Sequence, residues 1–161
     1  MTAAAEDTVP ALATTRRLQA LAVMGWPTAR LSRETGLALY RLMPLLTGAA
    51  KTTRPEDART VAAVYVRLST ASPGLCGVSH IAARTARDRA GAAGWAPPAA
   101  WDEDTIDDPS AIPQWTGHCG TVRGAGIHER DGLPLCAPCA DALYRRRLRD
   151  AAHAARTTTH A

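Results

Sequence analysis

Apolar residues near the start of the chain recur at the three- and four-residue spacing of an amphipathic helix. Leu18, Leu21 and Ala22 lie on one face of a helix that we predict over 14–24. Gly25 is a natural end for this helix, because glycine adopts the left-handed conformation without steric cost. The pattern therefore begins the chain with a helix that buries one face.

Two shorter segments follow, and proline or glycine bounds each of them. A second helix is predicted over 28–35, after Pro27 and before Gly36. A third is predicted over 37–46, where leucine is frequent. Short helices joined by a glycine turn must pack against other helices to be stable, so the pattern favours a helical bundle.

A fourth helix has the clearest start signal. Thr53 and Glu56 have the spacing of a capping box, in which each side chain satisfies a backbone N–H at the helix start. The residues that follow repeat at helical period and form one apolar face: Ala58, Val61, Ala62, Tyr65 and Leu68.

A fifth helix is predicted over 80–92, with Ser79 as its N-terminal cap. After Gly94 the chain is rich in proline and acidic residues, which excludes a regular helix or a central strand. Because exposed indoles are costly, we expect the tryptophans of this segment to pack on one of the modules or on a partner: Trp95, Trp101 and Trp115.

The composition supports a mainly α fold. The 161 residues include no Phe and only 4% aromatic residues, so the core must be built from Leu, Val and Ala, which favour helices. No apolar run approaches the roughly 18 residues of a membrane span. The start MTAAAEDTVP lacks the basic region of a secretory signal. We therefore expect a cytoplasmic protein, in which cysteines are better suited to metal binding than to disulfides.

The net charge of +4 is unevenly distributed. Residues 1–70 carry +4 and residues 116–161 carry +3, whereas residues 71–115 carry −3. We predict a helical bundle over 1–70, a connector helix and acidic linker over 71–115, and a small C-terminal module over 116–161. Basic ends could attract the phosphates of nucleic acid, although ordinary solvated surface would give the same small charges.

The stretch LSRETGLALYRLMPLLTG has the pattern of two short helices that cross at a tight turn. Ser32 lies at the crossing and Gly36 at the turn, and the apolar positions that follow are Leu37, Leu42, Leu45 and Leu46. This pattern resembles the phage-repressor family of Cro-type (XRE-like) helix-turn-helix proteins, over roughly residues 14–68. Together with the later GWAPP segment and its acids, the layout is similar to actinobacterial and actinophage members. The resemblance implies binding to double-stranded DNA.

The third helix departs from that family where it would contact bases. Its start offers apolar Ala38 and Leu39 beside Tyr40 and Arg41, whereas direct readout usually needs several polar donors. Pro44 should shorten, kink or end the helix, because proline inside a helix costs roughly 3 kcal/mol. If DNA binds, Tyr40 and Arg41 are expected in the major groove, and four basic residues on phosphates: Arg30, Arg33, Lys51 and Arg54.

Five carboxylates form the densest charge cluster of the sequence: Asp102, Glu103, Asp104, Asp107 and Asp108. Neither the spacing of a calcium loop nor a paired base accompanies them. We interpret the cluster as a solvated acidic linker rather than a catalytic site, and we expect no enzymatic activity.

The C-terminal module contains the spacing C-x8-H-x7-C-x2-C, formed by Cys119, His128, Cys136 and Cys139. A C-x2-C pair places two thiolates around one metal ion, and two further ligands complete a tetrahedron. Glycines between the ligands favour tight turns: Gly120, Gly124, Gly126 and Gly132. Because the module has few large apolar residues, we predict that a structural zinc ion replaces a core.

This segment resembles a small zinc-ribbon-like module of actinobacterial and actinophage proteins, although the usual first C-x2-C knuckle is absent. Unrelated reduced thiols, an iron–sulfur cluster and His118 as a rival ligand stay open as alternatives. A helix is predicted over 140–155, with Leu143 and Leu148 toward the metal module. The basic residues of this helix are Arg145, Arg146, Arg147 and Arg149.

These features predict a DNA-binding protein, a transcriptional regulator of phage or actinobacterial type. The alternative is a protein-interaction adaptor with a degenerate helix-turn-helix and a structural zinc module, which Pro44 favours. A zinc-dependent nuclease or hydrolase would need an open coordination position, and the four candidate ligands fill the shell. A protein partner at the tryptophans and a homodimer are left open, and Cys76 lies outside the predicted sites.

Overall fold

The structure is a computed structural model that describes residues 7–102, 104–113, 115 and 117–158. The protein is mainly α, as predicted, and the chain divides into two compact units, Met1–Pro113 and Gln114–Ala161. The described residues form seven α-helices: α1 Leu12–Met24, α2 Thr28–Thr35, α3 Leu39–Thr47, α4 Pro55–Leu68, α5 His80–Ala93, α6 Val122–Arg130 and α7 Ala137–Thr158. None of these helices is long and apolar enough to cross a membrane.

The first two helices end where glycine permits a left-handed backbone. Gly25 and Gly36 have φ values of 106° and 70°, so each ends the preceding helix as its position predicts. The third helix starts two residues later than expected. Leu37 turns into the core and is only 5% exposed, while Ala38 is extended and precedes the first helical residue.

Pro44 lies inside α3, which continues to Thr47, so of the three predicted effects of the proline an end of the helix at this position is wrong. Proline removes the hydrogen bond that its nitrogen would donate to the carbonyl of Tyr40, four residues earlier. Tyr40 is 78% exposed, so water can reach this part of the helix. The helix is nonetheless short, at nine residues.

The capping box predicted for the fourth helix is also absent. Arg54 precedes the first helical residue of α4, and no side chain caps it. Pro55 takes the first helical position, where its fixed φ suits the helix and its missing N–H costs little. Thr53 is instead part of a two-residue strand, β2 (Thr52–Thr53), which pairs antiparallel with β1 (Val9–Pro10).

The core of the N-terminal unit lies around α1, which packs against α3, α4 and α5. Leucine and valine fill most of this core, as the composition predicts, and Trp26 is its largest fully buried side chain. The apolar positions singled out after the Gly36 turn are buried: Leu37, Leu42, Leu45 and Leu46. Ser79 caps α5 as predicted, because its hydroxyl accepts a hydrogen bond from the N–H of Ala82 at 3.1 Å.

The acidic segment, expected as a solvated linker, belongs to the N-terminal unit. Arg16 donates hydrogen bonds to four of its backbone carbonyls, at 2.7–3.3 Å, and stacks over Trp101 at 4.3 Å from the ring centroid. Arg17 forms an ion pair with Asp107 at 2.7 Å. Carboxylates remain exposed at Asp102, Asp104, Asp107 and Asp108, and Glu103 lies outside the described residues.

The C-terminal unit is built from α6 and α7, which pack against each other. The last helix starts at Ala137, three residues earlier than expected, and runs to Thr158. Leu143 is half-buried beside α6, as predicted. Leu148 is 52% exposed, so its predicted position toward the metal module is wrong. The second half of the helix lies beyond the packed part of α6 and exposes every side chain from 144 to 158.

Candidate metal centre and nucleic-acid interface

The three cysteines and the histidine predicted as ligands lie together. The nearest ligand atoms of Cys119, His128, Cys136 and Cys139 are all within 4.8 Å of one another, which is a geometry that could hold a metal ion. All four cysteines of the chain are free, so no disulfide competes for these thiols. Cys76 is exposed in a turn of the N-terminal unit, outside the cluster.

Helix starts position the thiols. Cys119 precedes α6, Cys136 immediately precedes α7, and Cys139 lies in the first turn of α7. The N-terminal end of a helix carries a partial positive charge that favours thiolates. Gly120 adds a hydrogen bond from its backbone N–H to Sγ of Cys139 at 3.4 Å. The backbone of the unit is therefore arranged to stabilise negative charge on sulfur.

Negative charges on the neighbouring sulfurs would repel one another unless a cation lies between them. Burial, together with the neighbouring sulfurs of Cys139 and Cys119, raises the pKa of Cys136 to about 12, although the backbone N–H of Cys139 acts in the opposite direction. A thiol that is hard to ionise alone becomes a good ligand when a divalent cation offsets the charge. The donor set of three sulfurs and one imidazole fits such an ion.

His128 lies on α6 and is only 2% exposed. Its Nε2 is 3.5 Å from Sγ of Cys119, which leaves Nε2 as the atom that faces the sulfurs. Its Nδ1 is buried and has no hydrogen-bond partner within the described part of the chain. A ligand histidine usually donates its other N–H to an acceptor that fixes the ring, and no described residue supplies that acceptor to His128.

Two of the four glycines between the ligands are not in turns. Gly124 and Gly126 lie within α6, whereas Gly120 and Gly132 have positive φ values as the prediction requires. A Cβ on Gly124 would lie 2.2 Å from the carbonyl oxygen of His118 and 3.1 Å from the nitrogen of Cys119. Gly124 is therefore needed for the close approach of the ligand loop to α6. His118 itself is exposed and is not part of the cluster.

The structure also places the residues predicted to contact DNA. Arg41 forms an ion pair with Asp57 in the first turn of α4, and the Asp57 side chain is only 11% exposed. Arg41 and Arg54 line one shallow cavity beside Asp57. Arg54 also lies 3.7 Å from the carboxylate of Glu56. Arg41 and Arg54 therefore lie near each other, and each forms an ion pair with an acidic residue of α4.

Arg30 lies elsewhere. It bonds Glu34 through Nε at 2.7 Å, and Nη1 donates to the carbonyl of Cys76 at 3.0 Å. Glu34 also accepts from Arg67, near the end of α4. Arg41 therefore pairs with the first turn of α4, whereas Arg30 pairs with Glu34, which is bonded to the last turn of that helix; Asp57 and Arg67 are roughly 15 Å apart along α4.

The other predicted contacts face solvent. Tyr40 is 78% exposed and Leu39 is 50% exposed, so the start of α3 projects from the unit. Arg33 is exposed on α2 and makes no hydrogen bond or ion pair to any described residue. Lys51 is exposed and donates to the carbonyl of Gly48 at 2.9 Å.

No protein-family model matches this sequence, and no match to it was found among curated proteins or solved structures.

Proposed function

We propose that this protein binds double-stranded DNA through the start of α3 and acts as a regulator of transcription. The observation that carries the proposal is the exposure of Ala38, Leu39 and Tyr40 directly after the Gly36 turn. A short helix whose N-terminal end projects from a compact unit has the shape that enters a major groove. Arg33 supplies a free cation on the preceding helix for a phosphate.

The helix starts support phosphate contacts. Neither α2 nor α3 has a side-chain cap at its N-terminal end, where Pro27 and Ala38 stand. Uncapped backbone N–H groups at a helix start can donate to the phosphate oxygens of DNA, and the helix dipole favours their negative charge. The residues on which we expect base contacts are Tyr40 and, if it leaves Asp57, Arg41.

We propose in addition that Cys119, His128, Cys136 and Cys139 hold a structural zinc ion. Three thiolates and one imidazole are typical ligands of structural zinc, and four protein ligands leave no open position for catalysis. An iron–sulfur cluster is less compatible with the histidine, because four thiolates are usual for that chemistry. The ion would stabilise α6 and α7, which bury only a few apolar side chains.

The DNA-binding proposal is tested by fluorescence anisotropy with a labelled random-sequence duplex, at several salt concentrations. We expect binding that weakens as salt rises, because phosphate contacts release counterions. Arg33→Ala should weaken binding severalfold and lower the salt dependence by about one contact. Tyr40→Ala should weaken it without that change in salt dependence. Arg84→Ala is a matched control, since this exposed arginine lies on α5.

A protein-interaction adaptor is the second candidate function. It is favoured by the apolar start of α3, where Leu39 and Tyr40 are exposed while Arg41 is paired with Asp57. An exposed pair of large apolar side chains is typical of a protein contact. Absence of DNA binding at low salt by the folded, metal-loaded protein would reject the regulator and leave the adaptor.

A further inference from the structure

The second half of α7 is an exposed and strongly basic helix. Every side chain from 144 to 158 is exposed, and the backbone is helical throughout. This stretch contains five arginines and one aspartate, so its net charge is +4 with His153 neutral. An isolated helix of about 15 residues is only marginally stable in water, so an anionic partner would stabilise this one.

The arginines lie on both sides of a single stripe of apolar residues. The stripe residues recur at spacings of four, three and four, and therefore share one face of α7: Tyr144, Leu148, Ala151 and Ala155. At 3.6 residues per turn, Arg147 projects roughly 80° to one side of the middle of this stripe, and Arg149 projects roughly 120° to the other side. Arg156 shares the side of Arg149.

The flanking arginines are unpaired, whereas the arginine that points away from the stripe is paired. Arg147, Arg149 and Arg156 form no hydrogen bond or ion pair with any described residue. Arg146 lies on the opposite side of the helix, 3.7 Å from the carboxylate of Asp150, which is the one acidic residue of this stretch. Free positive charge therefore flanks the stripe, and the negative charge faces away from it.

This arrangement selects a partner with negative charge on both sides of the helix. The major groove of B-form DNA is about 12 Å wide and admits a helix, with phosphates on both walls and base edges, including thymine methyl groups, between them. A second copy of α7 would bring two helices of like charge together. A lipid surface rewards large apolar side chains, and two of the four stripe residues are alanine.

We propose that the second half of α7 binds in the major groove of double-stranded DNA. The stripe faces the base edges, while Arg147 and Arg149 contact phosphates of opposite strands. Leucine and alanine offer the bases no hydrogen bonds, so this contact has little sequence preference. It is a second DNA-binding surface beyond the start of α3, and it does not require that α3 contact DNA.

The experiment measures fluorescence anisotropy of a labelled random-sequence DNA duplex with full-length, metal-loaded protein. Arg147→Gln and Arg149→Gln each remove one flanking cation, and Arg146→Gln is the matched control between them in the sequence. Glutamine is close to arginine in helix propensity, so far-UV circular dichroism should be the same for all three variants.

Arg147→Gln and Arg149→Gln should each weaken DNA binding severalfold, whereas Arg146→Gln should not. Each phosphate contact contributes about 0.9 to the salt slope, so each flanking variant should lose about threefold less affinity than wild type as salt rises from about 50 to about 200 mM. An RNA duplex of the same sequence should respond less to both variants, because the deep, narrow major groove of A-form RNA does not admit α7.

Other anionic partners are tested with the same variants. Polyglutamate represents an acidic protein, and vesicles of phosphatidylcholine and phosphatidylserine in equal amounts represent a membrane. Binding to either that is tighter than to the DNA duplex, and that is weakened by both Arg147→Gln and Arg149→Gln, would overturn the proposal.

The proposal is also overturned if only one flanking arginine affects DNA binding, or if Arg146→Gln weakens it as much as they do. An equal response of the RNA and DNA duplexes would exclude the major groove. If Arg33→Ala weakens binding while Arg147→Gln and Arg149→Gln leave it unchanged, α7 is not a DNA contact and the proposed function through α3 stands. The reverse result supports binding by α7 and rejects binding through α3.

Discussion

Arg41 and Asp57 form an ion pair that joins the start of α3 to the first turn of α4. The two partners differ in their exposure, because the Arg41 side chain is 31% exposed and the Asp57 side chain only 11%. The residue expected to contact bases is therefore also a residue that holds the helices together. Arg41 can meet DNA only by sharing its donors or by leaving a carboxylate that water reaches poorly.

The difference in exposure predicts unequal costs for removing each partner. Arg41→Ala leaves a mostly buried carboxylate unpaired and should lower the free energy of unfolding by about 2–3 kcal/mol. Asp57→Ala leaves an arginine that water can solvate and should cost about 1 kcal/mol. Urea unfolding followed by tryptophan fluorescence measures the two single variants and the double variant. The sum of the single effects should exceed the effect of the double variant by about 1 kcal/mol, which is the coupling energy between Arg41 and Asp57.

Arg54 and Glu56 provide the control for this cycle, because their ion pair is exposed and 3.7 Å long. Exposed pairs of this kind usually contribute well under about 1 kcal/mol. A coupling between Arg41 and Asp57 no larger than that of the control pair would contradict the structural role assigned to them.

Zinc analysis should find one ion per chain. Removal of the ion by a strong chelator should unfold α6 and α7, since comparable small sites supply roughly 10–16 kcal/mol of apparent binding free energy. The helices of the N-terminal unit should not change, because its core contains none of the four candidate ligands. Mass spectrometry under native conditions measures the stoichiometry, and circular dichroism measures the loss of helix.

Cysteine variants make this prediction specific. Cys136→Ser should lose the ion, whereas Cys76→Ser should retain it, because Cys76 is exposed in the other unit. Iron with visible absorption in place of zinc, or a C-terminal unit that keeps its helices without metal, would contradict the proposed site.

Gly124 and Gly126 should respond oppositely to alanine although both lie in α6. A Cβ at Gly124 meets the backbone of the ligand loop at 2.2 Å, so Gly124→Ala should destabilise the C-terminal unit by about 1–3 kcal/mol and weaken zinc binding. Nothing lies within 4 Å of a Cβ at Gly126, so Gly126→Ala should stabilise the helix by about 0.5–1 kcal/mol. Competition with a chromogenic zinc chelator measures zinc affinity, and thermal unfolding measures stability, for the two variants. Equal effects of Gly124→Ala and Gly126→Ala would show that the loop at His118 does not approach α6 this closely.

Glu34 should make the N-terminal unit sensitive to acid. Hydrogen bonds from Arg67 and then Arg30 hold the pKa of Glu34 below its usual value. A carboxyl whose pKa is lowered by folding stabilises the fold above its unfolded pKa of about 4.3, and this contribution disappears as the pH falls through the folded value. Glu34→Gln should therefore be less stable than wild type at neutral pH, by up to about 1 kcal/mol, and the difference should shrink in acid.

Urea unfolding from about pH 7 to about pH 3 checks this dependence. Glu56→Gln is the matched control, because the Glu56 side chain is 66% exposed beside Arg54. A difference between wild type and Glu34→Gln that stays constant over this range would rule out the ionised carboxylate as its cause.

The helices of the N-terminal unit could be predicted because their signals are local. Gly25 and Gly36 end helices by their own backbone freedom, and the spacing of Leu42, Leu45 and Leu46 marks a buried face. The capping box at Thr53 is a wrong prediction because Thr53 joins a strand whose partner, Val9, is far away in the sequence. Local spacing cannot indicate which of two competing hydrogen-bond partners a residue will take.

The clustering of the four candidate ligands could be predicted for a related reason, since C-x2-C requires only a turn and the remaining donors are rare residue types. The requirement for glycine at position 124 could not be predicted, because it depends on where the loop at His118 passes over α6. The ion pair between Arg41 and Asp57 could not be predicted from the residue pattern either. Both depend on how separate segments approach each other, which residue spacing does not encode.

Arg16 binds backbone carbonyls that follow it by 89 to 95 residues. Contacts over such separations form slowly, because a long loop must close before they are made. During synthesis, α1 to α4 emerge from the ribosome well before Ala111, the last acceptor of Arg16. The N-terminal unit therefore reaches its final state only after Ala111 has been translated. Until then the guanidinium of Arg16 on α1 lacks these four carbonyl acceptors.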